Sequence, residues 1–270
     1  MRKIFFFDID GTLLDTSRFR TQLHPALRTA LNSLRQQGHI IAACSARQLN
    51  FVEKWLPNTF DCLILMNGSY VKIDDTVLLD APLSPKDISR INRCFESYHG
   101  SYIYVGNSNG WAYNIASRHQ KRLDKIYMLG DGYTLFEPLP HDAKIYLVDM
   151  FFETATDFER IQPVLSANNW MSLNYCCGDF TGDISLQGRT KVTAAKLVLD
   201  YYGLNSSAAY AFGDGINDLE LFQLAQYTCA VANAKPELKS KALFVSTERA
   251  GLGVLQCLQH WDLFSAGDHT

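Results

Sequence analysis

Short apolar runs alternate with amphipathic segments near the start of the chain. Ile4–Phe7 and Ile40–Cys44 contain only apolar residues, which is typical of strands buried on both faces of a sheet. Between them, Pro25–Gln37 has apolar residues at helical spacing and predicts an amphipathic helix. A short helix at Val52–Leu56 and another apolar strand at Cys62–Met66 continue the series. This alternation predicts a parallel sheet with helices on both faces.

The pattern changes from about Tyr70 to Leu186. Val71–Leu79 is typical of a β-hairpin, and Ser84 begins a sequence that resembles a helix capping box. The later predicted elements are strands at Tyr102–Val105, Trp111–Asn114, Lys144–Phe152, Trp170–Tyr175 and Asp183–Leu186, with a helix at about Asp157–Ala167. This middle section therefore predicts a separate α+β unit.

The alternation of helix and strand resumes near Lys191. A helix to about Tyr202 is followed by a short apolar strand, Ala208–Phe212. We therefore predict an α/β fold, in which residues 1–80 and 188–270 form a doubly wound, Rossmann-like parallel-sheet core. Residues 81–187 are predicted to form an inserted α+β cap domain of ordinary domain size.

Composition and charge exclude several classes of partner. Of the 270 residues, 47% are hydrophobic and 20% are charged, as in ordinary globular proteins. The formal net charge of −3 and the absence of a polybasic run predict neither a nucleic-acid partner nor membrane binding. The apolar run before Asp8 is too short for a signal peptide, so we expect a cytoplasmic protein. The seven cysteines have irregular spacings and are expected to be reduced thiols in or near the core.

Polar residues follow three of the predicted parallel strands. These residues are Asp8 and Asp10, Ser45, and Asp214, Asn217 and Asp218. Because sites in open α/β sheets form beyond the carboxyl ends of the strands, we expect these side chains to meet there. Four carboxylates at one place repel one another unless a cation lies among them, and all-oxygen ligation favours Mg²⁺.

Each of these signals has an ordinary structural explanation when it is taken alone. Asp8–Gly11 is compatible with a helix cap or a tight turn, and Ser45 with a helix N-cap. A lysine at a helix start, such as Lys191, is usually a solvated surface residue. The combination of segments more than 200 residues apart favours a functional site.

The combined motifs resemble those of the haloacid dehalogenase-like hydrolases. Asp8–Leu14 is similar to the DxDGT nucleophile motif, Ser45 to the second motif, Lys191 to the third, and Gly213–Asp218 to the fourth. A cap inserted between the second and third motifs is similar to the arrangement in the Cof-like IIB subgroup. The second motif departs from the usual Thr-Gly-Arg and is Ser-Ala-Arg, with Ala46 restricting the backbone more than glycine does.

The resemblance implies a phosphohydrolase mechanism. Asp8 is implied to be a nucleophile that becomes a transient aspartyl-phosphate, and Asp10 to be the general acid and then the general base. The implied Mg²⁺ ligands are Asp8, the Asp10 main-chain carbonyl and Asp214, with Asp218 acting mainly through water or Lys191. The groups implied to bind phosphate are Ser45, Lys191, the backbone amides of Ile9 and Ala46, and the side chain of Asn217.

The expected reaction is Mg²⁺-dependent hydrolysis of a small phosphomonoester, such as a sugar phosphate or a related metabolite. Phosphoryl transfer to a second alcohol, as in phosphomutases, is an alternative within enzymes. Dehalogenase chemistry is disfavoured because it does not need the general acid that Asp10 supplies. A binding or regulatory protein that has kept the fold is a further alternative, but it predicts the loss of at least one motif residue, and Asp8, Asp10, Lys191 and Asp214 are all present.

Overall fold

A computed structural model describes residues 1–18, 20–98, 101–115, 134–135, 139–152, 154–166, 171–176 and 181–264. The chain divides into two compact units. Unit 1 comprises Met1–Arg47, Val52–Leu79 and Thr190–Thr270, and unit 2 comprises Gln48–Phe51 and Asp80–Arg189. Residues 48–51 thus belong to unit 2, whereas the sequence prediction assigned them to the core.

The described residues form both strands and helices. The strands are β1 (Ile4–Phe7), β2 (Ile40–Cys44), β3 (Cys62–Leu65), β4 (Tyr70–Ile73), β5 (Thr76–Asp80), β6 (Ser101–Gly106), β7 (Gly110–Tyr113), β8 (Thr134–Leu135), β9 (Ile145–Phe151), β10 (Met171–Cys176), β11 (Thr181–Leu186), β12 (Ala209–Gly213), β13 (Tyr227–Ala230) and β14 (Phe244–Val245). The α-helices are α1 (Pro25–Gln36), α2 (Leu49–Trp55), α3 (Pro85–Tyr98), α4 (Ala155–Ser166), α5 (Lys191–Tyr202), α6 (Leu219–Leu224), α7 (Pro236–Lys239) and α8 (Ala250–His260).

The sheet of unit 1 has the strand order β14-β13-β12-β1-β2-β3-β4-β5. The strands from β14 to β3 are parallel, and β4 runs antiparallel to β3. The strand order changes direction at β1, so right-handed crossovers place helices on both faces of the sheet. This arrangement confirms the predicted doubly wound α/β fold. The neighbours β1 and β12 end side by side at the switch point, where such folds bind ligands.

The central strand β1 is buried because every one of its side chains is apolar. Phe5 and Phe7 stack against Tyr210 and Phe212 of the neighbouring strand, with ring centroids 4.7 and 4.5 Å apart respectively. Such aromatic contacts add to the free energy gained from burial alone. The strand that precedes Asp8 is therefore fixed in the centre of the core.

Unit 2 is an α+β structure, as the sequence predicted for the insertion. Its sheet has the order β10-β11-β9-β6-β7-β8 and is antiparallel except between β7 and β8. Helices α3 and α4 pack together. Ile91 and Phe95 of α3 and Ile161 of α4 share a core with Tyr104 and Val148 of the sheet.

Local limits differ from the predictions in a few places. Helix α2 begins at Leu49 and not at Val52, and the end of the predicted helix at Ala167 and the start of the predicted strand at Trp170 lie outside the described residues. Cys229 and Cys257 are paired as a disulfide, so the expectation of reduced thiols is wrong for these two residues. In the part of the chain that is described, no helix is both long enough and apolar enough to cross a bilayer.

Helix α5, which begins with Lys191, has a reciprocal cap. The Thr190 hydroxyl accepts a hydrogen bond from the Thr193 amide at 3.3 Å, and the Thr193 hydroxyl accepts one from the Thr190 amide at 3.1 Å. Each bond satisfies an amide that the helix itself leaves without a partner.

We predict that Thr190→Ala lowers the free energy of unfolding by about 1 kcal/mol, because the Thr193 amide loses its acceptor. Thermal unfolding followed by circular dichroism measures the change. Thr190→Ser is the matched control, since it keeps the hydroxyl and should remain close to wild type. Equal losses in the two variants would contradict the capping explanation.

Candidate active site

The ammonium group of Lys191 is buried in unit 1 between two carboxylates. Its Nζ donates to Asp8 Oδ1 at 2.6 Å and to Asp218 Oδ1 at 2.7 Å. The side chains of Lys191 and Asp218 are 1% and 0% exposed. A charge removed from water to this extent is stable only with partners of opposite charge. A lysine at the start of a helix is usually solvated, whereas Lys191 is enclosed between two carboxylates.

The pKa values of the two partners follow from this burial. Burial alone would lower the pKa of Lys191, but the carboxylates of Asp218 and Asp8 outweigh it and raise the pKa well above its ordinary value. Burial is also the largest influence on Asp8, and it raises the pKa of that carboxyl to about 7 although Lys191 opposes the change. The Lys191 ammonium therefore keeps its proton at neutral pH, and the Asp8 carboxyl binds a proton more readily than an ordinary aspartate does.

Asp218 fixes the loop that follows β12. Its Oδ2 accepts hydrogen bonds from the backbone amides of Asp214 and Gly215, each at 3.1 Å. A Cβ atom at Gly213 would overlap the Asp218 carboxylate, so this position requires glycine. The Asp218 carboxylate thus accepts from Lys191 with one oxygen and from the loop after β12 with the other.

Asp214 is held by side chains from two other segments. Thr12 donates its hydroxyl to Asp214 Oδ1 at 3.2 Å, and Asn233 Nδ2 donates to Asp214 Oδ2 at 3.2 Å. The same Asn233 amide also donates to the Gly11 carbonyl at 2.8 Å. Gly11 has φ +80°, and a Cβ there would overlap the Asp214 carboxylate. The turn after β1 and the loop after β12 are consequently tied together.

Asp8, Asp214 and Asp218 offer carboxylate oxygens that all lie within 4.8 Å of one another. Lys191 compensates only part of the charge that three carboxylates carry when ionised. Burial first, and then the neighbouring carboxylates Asp8 and Asp218, raise the pKa of Asp214 well above its ordinary value. A hard divalent cation with oxygen ligands would offset this repulsion, and the donor set fits such an ion.

The loop after β2 is fixed to the end of β3. The Ser45 amide donates to the Ile64 carbonyl at 2.9 Å, and the Ser45 carbonyl accepts from the Asn67 amide at 3.1 Å. The Arg47 amide donates to Ser45 Oγ at 3.2 Å, and the Arg47 carbonyl accepts from the Met66 amide at 3.3 Å. The Ser45 side chain is therefore buried and oriented at the edge where β1 and β2 end.

Asp10 forms an ion pair with Arg47. Arg47 Nε donates to Asp10 Oδ2 at 2.7 Å, and an Arg47 terminal nitrogen donates to Asp10 Oδ1 at 2.6 Å. The Asp10 side chain is 32% exposed and that of Arg47 is 13% exposed. Asp10 thus differs from Asp8 both in solvent access and in the kind of cation that it contacts.

The structure brings some of the sequence-predicted site residues into direct contact and not others. Asp8, Lys191 and Asp218 are joined by hydrogen bonds, and Asp214 belongs to the same carboxylate cluster. Of the remaining predicted residues, Ser45 and Ile9 are buried, and Asp10, Ala46 and Asn217 are partly exposed. The roles assigned to all of these residues stay predictions.

Sequence reasoning gave no role to Thr12, Arg47 or Asn233. Thr12 and Arg47 lie inside the first and second motifs, so the sequence indicated that they are near the site. It did not indicate that their side chains bind Asp214 and Asp10. Asn233 bonds to Gly11, which lies 222 residues away in the chain. A contact across this separation is set by the tertiary fold and not by a local sequence pattern.

The chain is similar to known proteins over nearly its whole length. A family model described as haloacid dehalogenase-like hydrolase matches residues 5–258. The chain is 26% identical over 247 residues to the Bacillus subtilis protein named "Putative phosphatase YkrA", with 90% of this chain and 91% of the relative covered. It is 26% identical over 270 residues to the HMP-PP phosphatase of Cronobacter sakazakii, with 97% of this chain and 96% of the relative covered.

Solved structures share the fold. The HAD subclass IIB sugar phosphatase BT4131 superposes with a TM-score of 0.81 at 20% identity, covering 97% of this chain and 100% of the other. BT1666 from Bacteroides thetaiotaomicron, a phosphatase of the same superfamily, superposes with a TM-score of 0.83 at 20% identity, covering 98% of this chain and 96% of the other.

The raised pKa of Asp8 predicts how the stability of the metal-free protein depends on pH. The native carboxyl has a pKa of about 7, whereas the unfolded carboxyl has the ordinary value of about 4. Between these values the native state binds more protons, so the contribution of Asp8 to stability falls as the pH rises. The melting temperature of Asp8→Asn minus that of wild type, measured in EDTA, should therefore increase from about pH 4 to about pH 7. The difference should be constant at higher pH.

Asp75→Asn removes one exposed carboxylate from the same unit and is the matched control for a lost charge. A difference between Asp8→Asn and wild type that does not vary with pH would show that Asp8 is not perturbed by burial.

Proposed function

Because the chain belongs to the haloacid dehalogenase-like hydrolases, we propose that it is a Mg²⁺-dependent phosphatase that acts through an aspartyl-phosphate on Asp8. The observation that carries the proposal is the buried Asp8–Lys191–Asp218 array at the carboxyl ends of β1 and β12. Its location is the usual ligand site of a doubly wound sheet. A purely structural ion pair would not need the third carboxylate, Asp214, within 4.8 Å of the other two.

In the first step an Asp8 oxygen attacks the phosphorus of a phosphomonoester and the bond to the leaving oxygen breaks. Asp10 donates its proton to that oxygen, so the alcohol leaves neutral and Asp10 becomes a carboxylate. Covalent catalysis replaces one difficult displacement with two easier ones. The partial exposure of Asp10 is compatible with access to the leaving group.

In the second step water attacks the phosphorus of the aspartyl-phosphate. Asp10 accepts a proton from the water, the bond between Asp8 and phosphorus breaks, and inorganic phosphate leaves. Asp8 is again a free carboxylate, and Asp10 holds the proton that it took from the water. The same carboxyl group therefore serves first as acid and then as base.

Positive charge and hydrogen-bond donors at the strand ends support the binding of a phosphoryl group. Lys191 supplies a fixed ammonium, and Ser45 supplies a buried hydroxyl. The backbone amides of Ile9 and Ala46 and the side chain of Asn217 are proposed as further donors. Phosphoryl transfer depends mainly on such positioning and on neutralisation of the equatorial oxygens.

Asp8, Asp214 and the main-chain carbonyl of Asp10 are proposed to hold the Mg²⁺ ion, and Asp218 to act through Lys191 or water. The ion would supply positive charge that offsets repulsion between the carboxylates and the phosphoryl oxygens. The hydrogen bond between Asp218 and Lys191 supports the indirect role of Asp218.

The substrate class that we propose is a small phosphorylated metabolite, with sugar phosphates as the leading candidates. Curated relatives carry the names of phosphatases, among them HMP-PP phosphatase and phosphoglycolate phosphatase. Unit 2 is inserted between Ser45 and Lys191, as in the Cof-like pattern, and we propose that it sets the substrate preference.

We predict that the wild-type protein hydrolyses p-nitrophenyl phosphate and several members of a panel of sugar phosphates and glycerol phosphate. Asp8→Asn should abolish turnover because an amide cannot form the aspartyl-phosphate. Phosphate release measured against time gives kcat and KM for each substrate.

Asp61→Asn removes a carboxylate that binds Arg35 elsewhere in unit 1 and is the matched control. It should retain activity at temperatures well below its melting temperature. Turnover by Asp8→Asn would disprove the covalent mechanism, and inactivity of the pure wild-type protein would favour a binding role.

We predict that Mg²⁺ raises the melting temperature of the wild-type protein. Binding to the native state alone stabilises it by about 2.7 kcal/mol when the free ion exceeds its dissociation constant 100-fold. Asp214→Asn should remove most of this rise, because one proposed ligand is lost. NaCl at equal ionic strength controls for screening, and a rise that persists unchanged in Asp214→Asn would place the ion elsewhere.

A further inference from the structure

We propose that Arg47 is a positioning residue for the general acid–base Asp10. The inference rests on the proposed function and extends it to a residue that contacts neither Asp8 nor Lys191 in the hydrogen bonds described above. Its basis is the ion pair in which Arg47 uses two nitrogens and Asp10 uses both oxygens, at 2.7 and 2.6 Å.

The two-point geometry defines the orientation of the Asp10 carboxylate. A single hydrogen bond restrains a carboxylate only in part, whereas two parallel bonds also fix its plane. Asp10 forms an isolated β-bridge with Leu14, and its side chain is 32% exposed, so part of the carboxylate faces solvent. Arg47 thus supplies the restraint that Lys191 supplies for the buried Asp8.

Arg47 can orient another residue because its own backbone is fixed. Its amide donates to Ser45 Oγ and its carbonyl accepts from Met66 N, which ties it to the ends of β2 and β3. Its side chain is 13% exposed. The planar guanidinium presents its donors in a rigid fork, which a lysine cannot reproduce.

The pair is compatible with both proton-transfer steps. When one Asp10 oxygen carries the proton, its hydrogen bond from Arg47 opens and the other bond keeps the carboxyl group in place. When the proton passes to the leaving alcohol, both oxygens are again acceptors and the second bond can re-form. The proton moves between Asp10 and the substrate or water, and Arg47 keeps its own protons throughout.

A different role for Arg47 would be direct binding of the phosphoryl group. The two roles predict different kinetics, because general acid catalysis matters most for a poor leaving group. An alkyl phosphate needs a proton on its leaving oxygen, whereas p-nitrophenolate departs as a stable anion. Direct phosphate binding would affect the two substrates equally.

The test compares kcat/KM for p-nitrophenyl phosphate and for the most reactive sugar phosphate of the panel. For Arg47→Ala we expect a fall of about 10²-fold with the sugar phosphate, the size of loss that a misplaced catalytic group causes. The value for p-nitrophenyl phosphate should change by less than about tenfold, since its leaving group needs little acid assistance. Arg47→Lys should recover part of the loss because it can form one of the two bonds.

Asp10→Asn is the reference for loss of the acid, and Arg35→Ala is the matched control. Arg35 forms a partly buried pair with Asp61 at 2.8 Å in the same unit, so its removal reports the effect of a lost ion pair on the fold. Arg35→Ala should leave the ratio of the two kcat/KM values unchanged. Circular dichroism and melting temperatures establish that each variant is folded.

Equal falls for both substrates in Arg47→Ala, with raised KM, would identify Arg47 as a phosphate ligand and overturn the inference. Unchanged kcat/KM for both substrates would overturn it as well. If Asp10→Asn discriminates between the substrates and Arg47→Ala does not, the inference alone fails. If Asp10→Asn does not discriminate either, the acid–base role of Asp10 in the proposed function fails.

Discussion

The site depends on the enclosure of one ammonium group, that of Lys191, by carboxylates. Removal of either partner from a buried ion pair costs about 3–5 kcal/mol, so Asp8 and Asp218 cannot be placed independently of the lysine. The helix that begins at Lys191 and the two strand ends that carry the carboxylates must therefore fold together. This constraint joins segments 183 residues apart in the chain. Lys191 thus determines the position of the proposed nucleophile as well as its charge environment.

Small residues and backbone bonds bring the strand ends this close. A Cβ atom at Gly11 would overlap the Asp214 carboxylate of the loop after β12. A Cβ atom at Gly213 would overlap the Asp218 carboxylate of its own loop. Asn233 then crosses between the two loops, binding the Gly11 carbonyl and the Asp214 carboxylate, while its own oxygen accepts from the Ala250 amide at 3.0 Å. Neutral donors therefore hold Asp214 in the carboxylate cluster, whereas the Lys191 ammonium holds Asp8 and Asp218.

The sequence was sufficient for the buried strands β1, β2 and β12 and for the polar residues that follow them, because fully apolar runs and the polar residues after them are local features. Lys191 became a candidate only through its place among the motifs, since a lysine at a helix start is ordinarily exposed. The sequence could not provide the Asp10–Arg47 pair or the contacts of Asn233, because both depend on side-chain directions set by tertiary packing. The start of α2 at Leu49 was missed since no capping residue marks it.

The two cationic contacts of the site differ in the way that their proposed tasks require. A nucleophile benefits from a buried, compact charge that leaves one carboxylate oxygen available, and the Lys191 ammonium contacts Asp8 through Oδ1. A proton carrier needs a path to substrate and water and a fixed plane, and Asp10 has both partial exposure and a guanidinium partner. Lysine and arginine are not interchangeable in these positions, because one provides a point charge and the other a planar fork. The proposed division of labour between Asp8 and Asp10 therefore has a counterpart in the choice of their partners.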